Sequence, residues 1–297
     1  MKRIFFLMAL MTFLLAGCYS PLVTVAEQPP SPTPTIVPTP SPTPAPTPTP
    51  VATPSPTPEP SPEPYVPRPP IIALSFDDGP SNHTERILDV LEKHGGRATF
   101  FVLGYRVEPR RNTIIRALDM GNEIVGHTWG HPDLTQLSDA DIMWELQATS
   151  EVIEAVTGYS PNFFRPPFGR TNGNVRRISE ELGYAIVNWT LDTVDWRDRN
   201  PDIIYETIMS QVEDGAVILL HDIHLTTAQA MERVIPSLVE QGFQLVTVSE
   251  VLEYVYGELE PGMIYGKIYD DELNALEESP EPSPEPSIEE TAEETEG

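Results

Sequence analysis

Two short clusters of metal-binding residue types carry most of the chemical information in this sequence. Asp77 and Asp78 follow one apolar run, and His127 and His131 follow another. One aspartate and two histidines can supply three ligands to a divalent cation and leave a position open for water, which distinguishes catalytic zinc sites from closed structural ones. The second carboxylate, Asp77, would then be free for proton transfer.

Three further segments add candidate groups to these clusters. In residues 165–169 (RPPFG), two prolines remove two backbone donors, so the next N–H is that of Phe168, which can donate to a tetrahedral oxyanion beside a metal. Asp195 and His221 together offer an acid and the residue that orients it. Each segment alone also has a structural explanation, as a turn, a loop histidine, a stiff connection, a helix cap or a core-edge histidine.

The elements that would position these groups recur along residues 71–256. Seven short apolar runs, each of strand length, have the composition of parallel strands buried on both faces. They cover residues 71–76, 98–103, 122–126, 162–165, 184–189, 216–220 and 243–248. Helix-period segments lie between most of them, and three of these end at Gly158, Gly183 and Gly242.

The candidate polar residues all follow these strands, at the end where active sites of parallel α/β folds assemble. The alternation of strands and helices predicts either an α/β barrel or an open doubly wound sheet. The length, about 190 residues, is short for an eight-fold barrel of roughly 250.

Five segments together resemble, in order, the motifs of the polysaccharide deacetylase family, which is carbohydrate esterase family 4 or the NodB-homology domain. They are residues 75–79 (SFDDG), 127–131 (HTWGH), 165–169 (RPPFG), 192–196 (DTVDW) and 219–221 (LLH). The resemblance covers residues 71–256 and implies a deformed (β/α)7 barrel that removes acetyl groups from N-acetylated glycans with a metal ion.

The resemblance also implies roles for the metal-site residues. Asp78, His127 and His131 would hold one divalent ion, usually zinc, although cobalt or another first-row ion suits the same ligands. Asp77 would be the general base, and Arg165 would hold its carboxylate.

Further roles concern the leaving group and the pocket. The backbone N–H of Phe168 would bind the oxyanion, and His221 would be the general acid, oriented by Asp195. The residues expected to shape the substrate pocket are Pro167, Trp196 and Leu219.

Composition divides the chain into four parts. Residues 1–17 resemble a lipoprotein signal peptide that ends before Cys18, the only cysteine, although an ordinary signal with an incidental cysteine is the alternative. Residues 18–70 form a linker rich in Pro, Thr and Ser, residues 71–258 the catalytic domain, and residues 259–297 an acidic tail expected to be disordered. Lipidation of Cys18 would anchor the exported protein to the outer face of the bacterial cell membrane.

The formal net charge of −27 argues against nucleic acid as a partner, and twelve acidic residues lie beyond Tyr269. Anchor, linker and motifs together predict a cell-wall glycan as substrate, with no protein partner. We expect removal of N-acetyl groups from N-acetylglucosamine of peptidoglycan. The alternatives are a deacetylase or esterase of another glycan, such as chitin oligomers or xylan, and an inactive wall-binding lipoprotein.

Overall fold

The computed structural model describes residues 68–267 and 269–270. The strands are β1 (Ile71–Asp77), β2 (Thr99–Val102), β3 (Glu123–Gly126), β4 (Phe163–Phe164), β5 (Arg170–Thr171), β6 (Ala185–Val187), β7 (Leu191–Asp192), β8 (Val217–His221), β9 (Gln244–Val246), β10 (Ile264–Tyr265) and β11 (Tyr269–Asp270). The helices are α1 (Thr84–His94), α2 (Gly104–Val107), α3 (Arg111–Asp119), α4 (Asp139–Thr157), α5 (Gly173–Glu181), α6 (Asp195–Asp198), α7 (Pro201–Gln211), α8 (Leu225–Glu240) and α9 (Val248–Tyr256). Short 3-10 turns cover Glu108–Arg110, Leu134–Gln136 and Pro167–Gly169.

The main sheet is parallel and curves into the predicted barrel. Its strands lie in the order β10-β6-β4-β3-β2-β1-β8-β7, and β9 pairs with the first half of β1. All seven predicted strands are present as β1, β2, β3, β4, β6, β8 and β9. The deformed (β/α)7 architecture is therefore confirmed, and the open doubly wound alternative is wrong.

The alternation of side chains along β1 decides which residues face the barrel interior. Leu74 and Phe76 pack in the cluster between the sheet and the helices, whereas Ala73 packs in the interior cluster. Successive strand residues point to opposite faces, so Ser75 and Asp77 share the interior face with Ala73. The strand thereby delivers a carboxylate to the inside of the barrel at its carboxyl end.

Helix α4 shows how local sequence signals set the elements around the site. The side chain of Ser138 caps its first turn by accepting from the N–H of Asp141, and Gly158 ends it with φ 80°. Ile142, Leu146 and Ile153 form its buried face. The predicted end of this helix at Gly158 is confirmed.

The folded part extends past residue 258, where the sequence placed the domain boundary. Strand β10 pairs in parallel with β6, and β11 pairs with β5. The backbone N–H of Lys267 also donates to the carbonyl of Trp189 at 2.9 Å. Residues 259–267 therefore belong to the barrel wall, which corrects the predicted start of the disordered tail.

The predicted signal peptide, Cys18, most of the linker and the acidic tail beyond residue 270 lie outside the described residues. Within the described part of the chain, no helix combines the length and the apolarity needed to cross a bilayer.

Candidate active site

Three predicted metal ligands meet at the carboxyl ends of β1 and β3. The Oδ1 atom of Asp78 lies 3.4 Å from Nε2 of His131 and 3.7 Å from Nε2 of His127. One ligand atom from each residue lies within 4.8 Å of the others. This spacing lets one cation contact all three atoms at the metal–ligand distances of about 2.0–2.2 Å that oxygen and nitrogen ligands prefer.

The donor set fits a cation in its hydrogen bonding as well. Oδ1 of Asp78 is buried without a hydrogen-bond partner among the described atoms, a costly state for a carboxylate oxygen that a cation would relieve. Nδ1 of His127 bonds the carbonyl oxygen of Arg165 at 2.8 Å, which leaves Nε2 as its ligand atom. Burial lowers the pKa of His127 to about 3, so the ring is the neutral form that binds metals.

The loop that carries His131 is held in an unusual backbone conformation. Thr128 and His131 have φ values of 65° and 64°, and Asp78 has 71°. Non-glycine residues in this region each cost about 1–3 kcal/mol and persist where the surroundings fix them. Glu145 of α4 provides such a restraint, because its Oε2 accepts from the N–H groups of Trp129 and Gly130 at 2.7 and 2.9 Å.

Asp77 and Arg165 form a buried ion pair beside the ligand set. Nη1 of Arg165 donates to Oδ1 of Asp77 at 2.7 Å and to Oγ of Ser75 at 2.9 Å, and the guanidinium lies over the Phe101 ring. Oδ2 of Asp77 lies 3.7 Å from Nε2 of His127. Burial raises the pKa of Asp77, and Arg165 opposes that rise. One oxygen is thus fixed while the other is left to accept a proton.

His221 faces this pair from the end of β8 and is held by Asp195. Nδ1 of His221 bonds Oδ1 of Asp195 at 2.8 Å, while Oδ2 of Asp195 accepts from the hydroxyl of Thr227 and the backbone N–H of His221. Burial opposes protonation of His221, but the bond and charge of Asp195 raise its pKa to about 9. The imidazolium is therefore the form present at neutral pH, with Nε2 available as a proton donor.

Phe168 lies in a 3-10 turn with φ 61°. The hydrogen bonds of that turn are donated by Gly169 and Arg170, so the turn does not use the N–H of Phe168. The Phe168 ring is exposed and packs edge-on against His131 at 4.8 Å between centroids. Pro167 is buried at the start of the turn and is not among the cleft-lining residues, in contrast to its predicted place in the pocket.

These groups line one cleft of about 530 Å³. Of the predicted site residues, Asp77, Asp78, His127, His131, Phe168, Trp196, Leu219 and His221 line it directly. Arg165 and Asp195 lie buried behind Asp77 and His221. The structure thus brings ten of the eleven predicted catalytic, metal and pocket residues to one place.

Sequence reasoning assigned no role to several residues here, among them Glu145, Asp222 and Arg199, and it favoured an ordinary loop position for His224, which lines the cleft. Asp222 is fully buried, which raises its pKa to about 7, and the hydroxyl of Thr84 donates to it. A Cβ atom at Gly79 would lie 2.3 Å from both Asp222 carboxylate oxygens. The only signal for Asp222 in the sequence is its position directly after His221.

Fold and site together define the class: an α/β-barrel protein with a candidate hydrolytic centre at the carboxyl ends of its strands. Comparison with known proteins agrees, since residues 65–187 match the family described as polysaccharide deacetylase. The chain belongs to the polysaccharide deacetylase family.

Two curated relatives act on bacterial cell walls by name. The chain is 44% identical over 188 residues to the peptidoglycan-N-acetylmuramic acid deacetylase PdaC of Bacillus subtilis, covering 63% of this chain and 40% of PdaC. It is 38% identical over 205 residues to the peptidoglycan-N-acetylglucosamine deacetylase PgdA of Listeria monocytogenes, covering 69% of this chain and 42% of PgdA. The chain thus spans about two fifths of the length of these relatives.

The solved structure of PdaC from Bacillus subtilis superimposes with a TM-score of 0.61 at 44% sequence identity. The match covers 64% of this chain and 93% of the PdaC chain in that structure. The likeness therefore extends over nearly the whole of the solved PdaC domain.

Proposed function

We propose that this protein is a hydrolase that removes N-acetyl groups from the sugars of peptidoglycan and releases acetate. The observation that carries the proposal is the arrangement in one cleft of a candidate metal triad, a buried carboxylate held by arginine, and an imidazole held by aspartate. The family and the wall-acting relatives support the substrate class.

Asp78, His127 and His131 would hold the metal ion, and zinc is the ion we propose because this donor set suits it. When bound, a divalent cation polarises a carbonyl and makes a nearby water more acidic. Arg165 fixes Oδ1 of Asp77, so Oδ2 is the atom that takes the proton from the attacking water.

Water adds to the acetamide carbon, and the resulting oxyanion requires a hydrogen-bond donor. The N–H of Phe168 would supply one, since the 3-10 turn leaves it unused and Phe168 lines the cleft. Nε2 of His221 then donates its proton to the sugar nitrogen as the carbon–nitrogen bond breaks, which turns a poor leaving group into a neutral amine. Asp195 keeps the ring oriented throughout.

The sequence prediction of N-acetylglucosamine as the sugar stays a prediction, because the relatives are named for both peptidoglycan sugars. We further propose that the protein is exported and held at the membrane through Cys18, as the composition of its first residues indicates. A membrane-held enzyme with an extended linker would reach the overlying wall.

Acetate release from purified peptidoglycan tests the proposal. We expect release by the full chain loaded with zinc and a loss of about 10²-fold or more for His221→Ala, which lacks the proton donor. His94→Ala is the matched control, because His94 ends α1 away from the cleft. Release from acetylated xylan but none from peptidoglycan would contradict the proposed substrate.

A further inference from the structure

Arg199 is a cleft residue that the proposed chemistry does not use. It ends helix α6 with φ 43° and ψ 42°. Its backbone N–H donates to the carbonyl of Asp195 at 3.3 Å, and its Nε donates to the carbonyl of Trp196 at 3.2 Å. Both contacts connect the residue to the helix that begins with Asp195, so its position is tied to the acid pair.

The guanidinium of Arg199 has no acidic partner within the described part of the chain. Arg197, two residues earlier, donates to both carboxylate oxygens of Asp198 at 2.7 and 2.9 Å. In contrast, the described hydrogen bonds of the Arg199 side chain end at the carbonyl of Trp196. Arg199 is an exposed residue, and no described carboxylate neutralises its charge.

Among the described residues that line the cleft, Arg199 is the only arginine or lysine. The carboxylates in the cleft already have other partners. Asp77 is paired with Arg165, Asp78 belongs to the ligand triad, and Asp192 accepts from the N–H of Val194 at 2.8 Å. The terminal nitrogens of Arg199 therefore remain available to a ligand.

The position of Arg199 also fits the side of the cleft where the sugar amine departs. Burial lowers the pKa of His224 most, and the positive charge of Arg199 lowers it further. The His224 ring lies 6.1 Å from the His221 ring, between centroids. Arg199 thus lies on the His221 side of the cleft, where the proposed mechanism has the sugar amine leave.

Neutral sugars do not require a cation, whereas the planar guanidinium fork matches a carboxylate in charge and geometry. We propose that Arg199 binds a carboxylate of the glycan substrate, so that the cleft selects an acidic N-acetyl sugar over neutral N-acetylglucosamine. N-Acetylmuramic acid has this chemistry, because its lactyl ether stands on the ring carbon next to the acetamido carbon. The inference rests on the proposed deacetylase function.

Two sources in the wall polymer can supply this carboxylate. In peptide-free glycan strands the lactyl group itself is ionised, whereas in peptide-bearing strands it is an amide and the carboxylates lie on the peptide. Chitin oligomers provide a neutral substrate with the same acetamido group. Acetate release from the three substrates therefore shows which carboxylate matters. Peptide-free strands test the lactyl carboxylate, peptide-bearing strands test the peptide carboxylates, and chitin oligomers carry none.

The test compares Arg199→Gln with Arg197→Gln in the full zinc-loaded chain. Charge-assisted hydrogen bonds of this kind correspond to about tenfold in affinity or more. We expect Arg199→Gln to raise KM at least about tenfold on the carboxylate-bearing strands, with kcat little changed, and to leave KM for chitin oligomers unchanged. The matched variant Arg197→Gln removes the same charge from α6 and should behave as the unaltered protein on every substrate.

Equal KM changes on charged and neutral substrates would overturn the proposal, because they indicate a structural role for Arg199. The same holds if the unaltered protein prefers chitin oligomers. Calorimetric titration of the His221→Ala protein with peptide-free strands, with and without Arg199→Gln, measures binding with little turnover. Binding that depends on Arg199, with no acetate released by the unaltered protein, would refute the deacetylase function and leave the carboxylate site standing. If Arg199→Gln and Arg197→Gln release acetate equally from every substrate, the carboxylate site would be refuted and the deacetylase function would stand.

Discussion

At the scale of single residues, the site consists of pairs in which one member sets the protonation of the other. Arg165 holds Asp77 in a buried position where burial raises its pKa, and Asp195 raises the pKa of His221 to about 9. The base, Asp77, is deprotonated only above its raised pKa, and the acid, His221, is protonated only below its pKa of about 9. Activity should therefore show a bell-shaped pH profile.

Asp195→Asn tests the alkaline side of that profile. The substitution removes the charge that raises the pKa of His221, while burial continues to lower it. His221 must be protonated to donate, so activity is lost as pH rises through its pKa, and the alkaline limb should move to lower pH. We also expect kcat at neutral pH to fall about 10²-fold or more. The pH dependence of kcat/KM is the measurement, with Asp198→Asn on the same helix as control. An unmoved alkaline limb would assign it to another group.

The sequence predicted the residues whose types indicate chemistry, and also Arg165 and Asp195 that hold two of them, but not the residue that holds the His131 loop. His127 and His131 are informative at their spacing, whereas Glu145 is one of many helix carboxylates. Its two hydrogen bonds to the His131 loop depend on how α4 packs near β3, a long-range contact that periodicity does not reveal. Arg199 was missed for a similar reason, since its role in the cleft depends on the lack of a partner.

Among the secondary-structure elements, helix α4 should influence metal affinity, because its Glu145 holds the loop that carries His131. Glu145→Gln weakens the acceptor for the N–H groups of Trp129 and Gly130, so the positive φ of His131 is less firmly held. Residues that orient ligands affect metal affinity by about 10–100-fold. We expect zinc affinity, measured by competition with a chromogenic chelator, to fall within that range. Glu151→Gln, on the exposed face of α4, should leave it unchanged, and equal affinities in both variants would contradict the role.

Strand β10 is an element that the sequence pattern did not identify. It has two residues, too few for a period-two pattern, and it follows a helix that ends among exposed aromatic residues. Its place is fixed by backbone bonds, from Ile186 to the carbonyl of Met263 and from Asn188 to that of Tyr265. The seven longer apolar runs were identified correctly because burial on both faces leaves a continuous signal.

Truncation tests whether β10 belongs to the stable fold. A chain that ends at residue 258 loses the backbone bonds to β6 and the bond from Asn188 to the carbonyl of Lys267 at 2.6 Å. At about 1 kcal/mol for each hydrogen bond, we expect the free energy of unfolding to fall by roughly 2–4 kcal/mol. Urea unfolding measures this loss. A chain that ends at residue 270 keeps these contacts and serves as the control, and equal midpoints for the two chains would show that the segment adds nothing.

At the scale of the whole molecule, a cation bound to ligands from two strands should stabilise the barrel. Asp78 follows β1 and His127 follows β3, so unfolding separates them and releases the ion. A ligand present at about 100 times its Kd adds roughly 2.7 kcal/mol. We expect a chelator to lower Tm and abolish acetate release, and zinc to restore both. His131→Ala should remove the zinc-dependent rise in Tm, and a rise that persists in this variant would place the ion elsewhere.

We propose that the position of the whole protein in the cell depends on Cys18, the only cysteine of the chain. Two acyl chains on one residue hold a protein firmly at a bilayer, because each buried CH₂ contributes about 0.8 kcal/mol, whereas an unlipidated chain has no such hold. We therefore expect Cys18→Ala to move the protein from the membrane fraction to the growth medium, and to lose incorporation of labelled fatty acid. Ser20→Ala, two residues away, should remain in the membrane fraction with its label. Retention of the Cys18→Ala protein at the level of the control would show that the first residues hold it by another means, such as an uncleaved apolar segment.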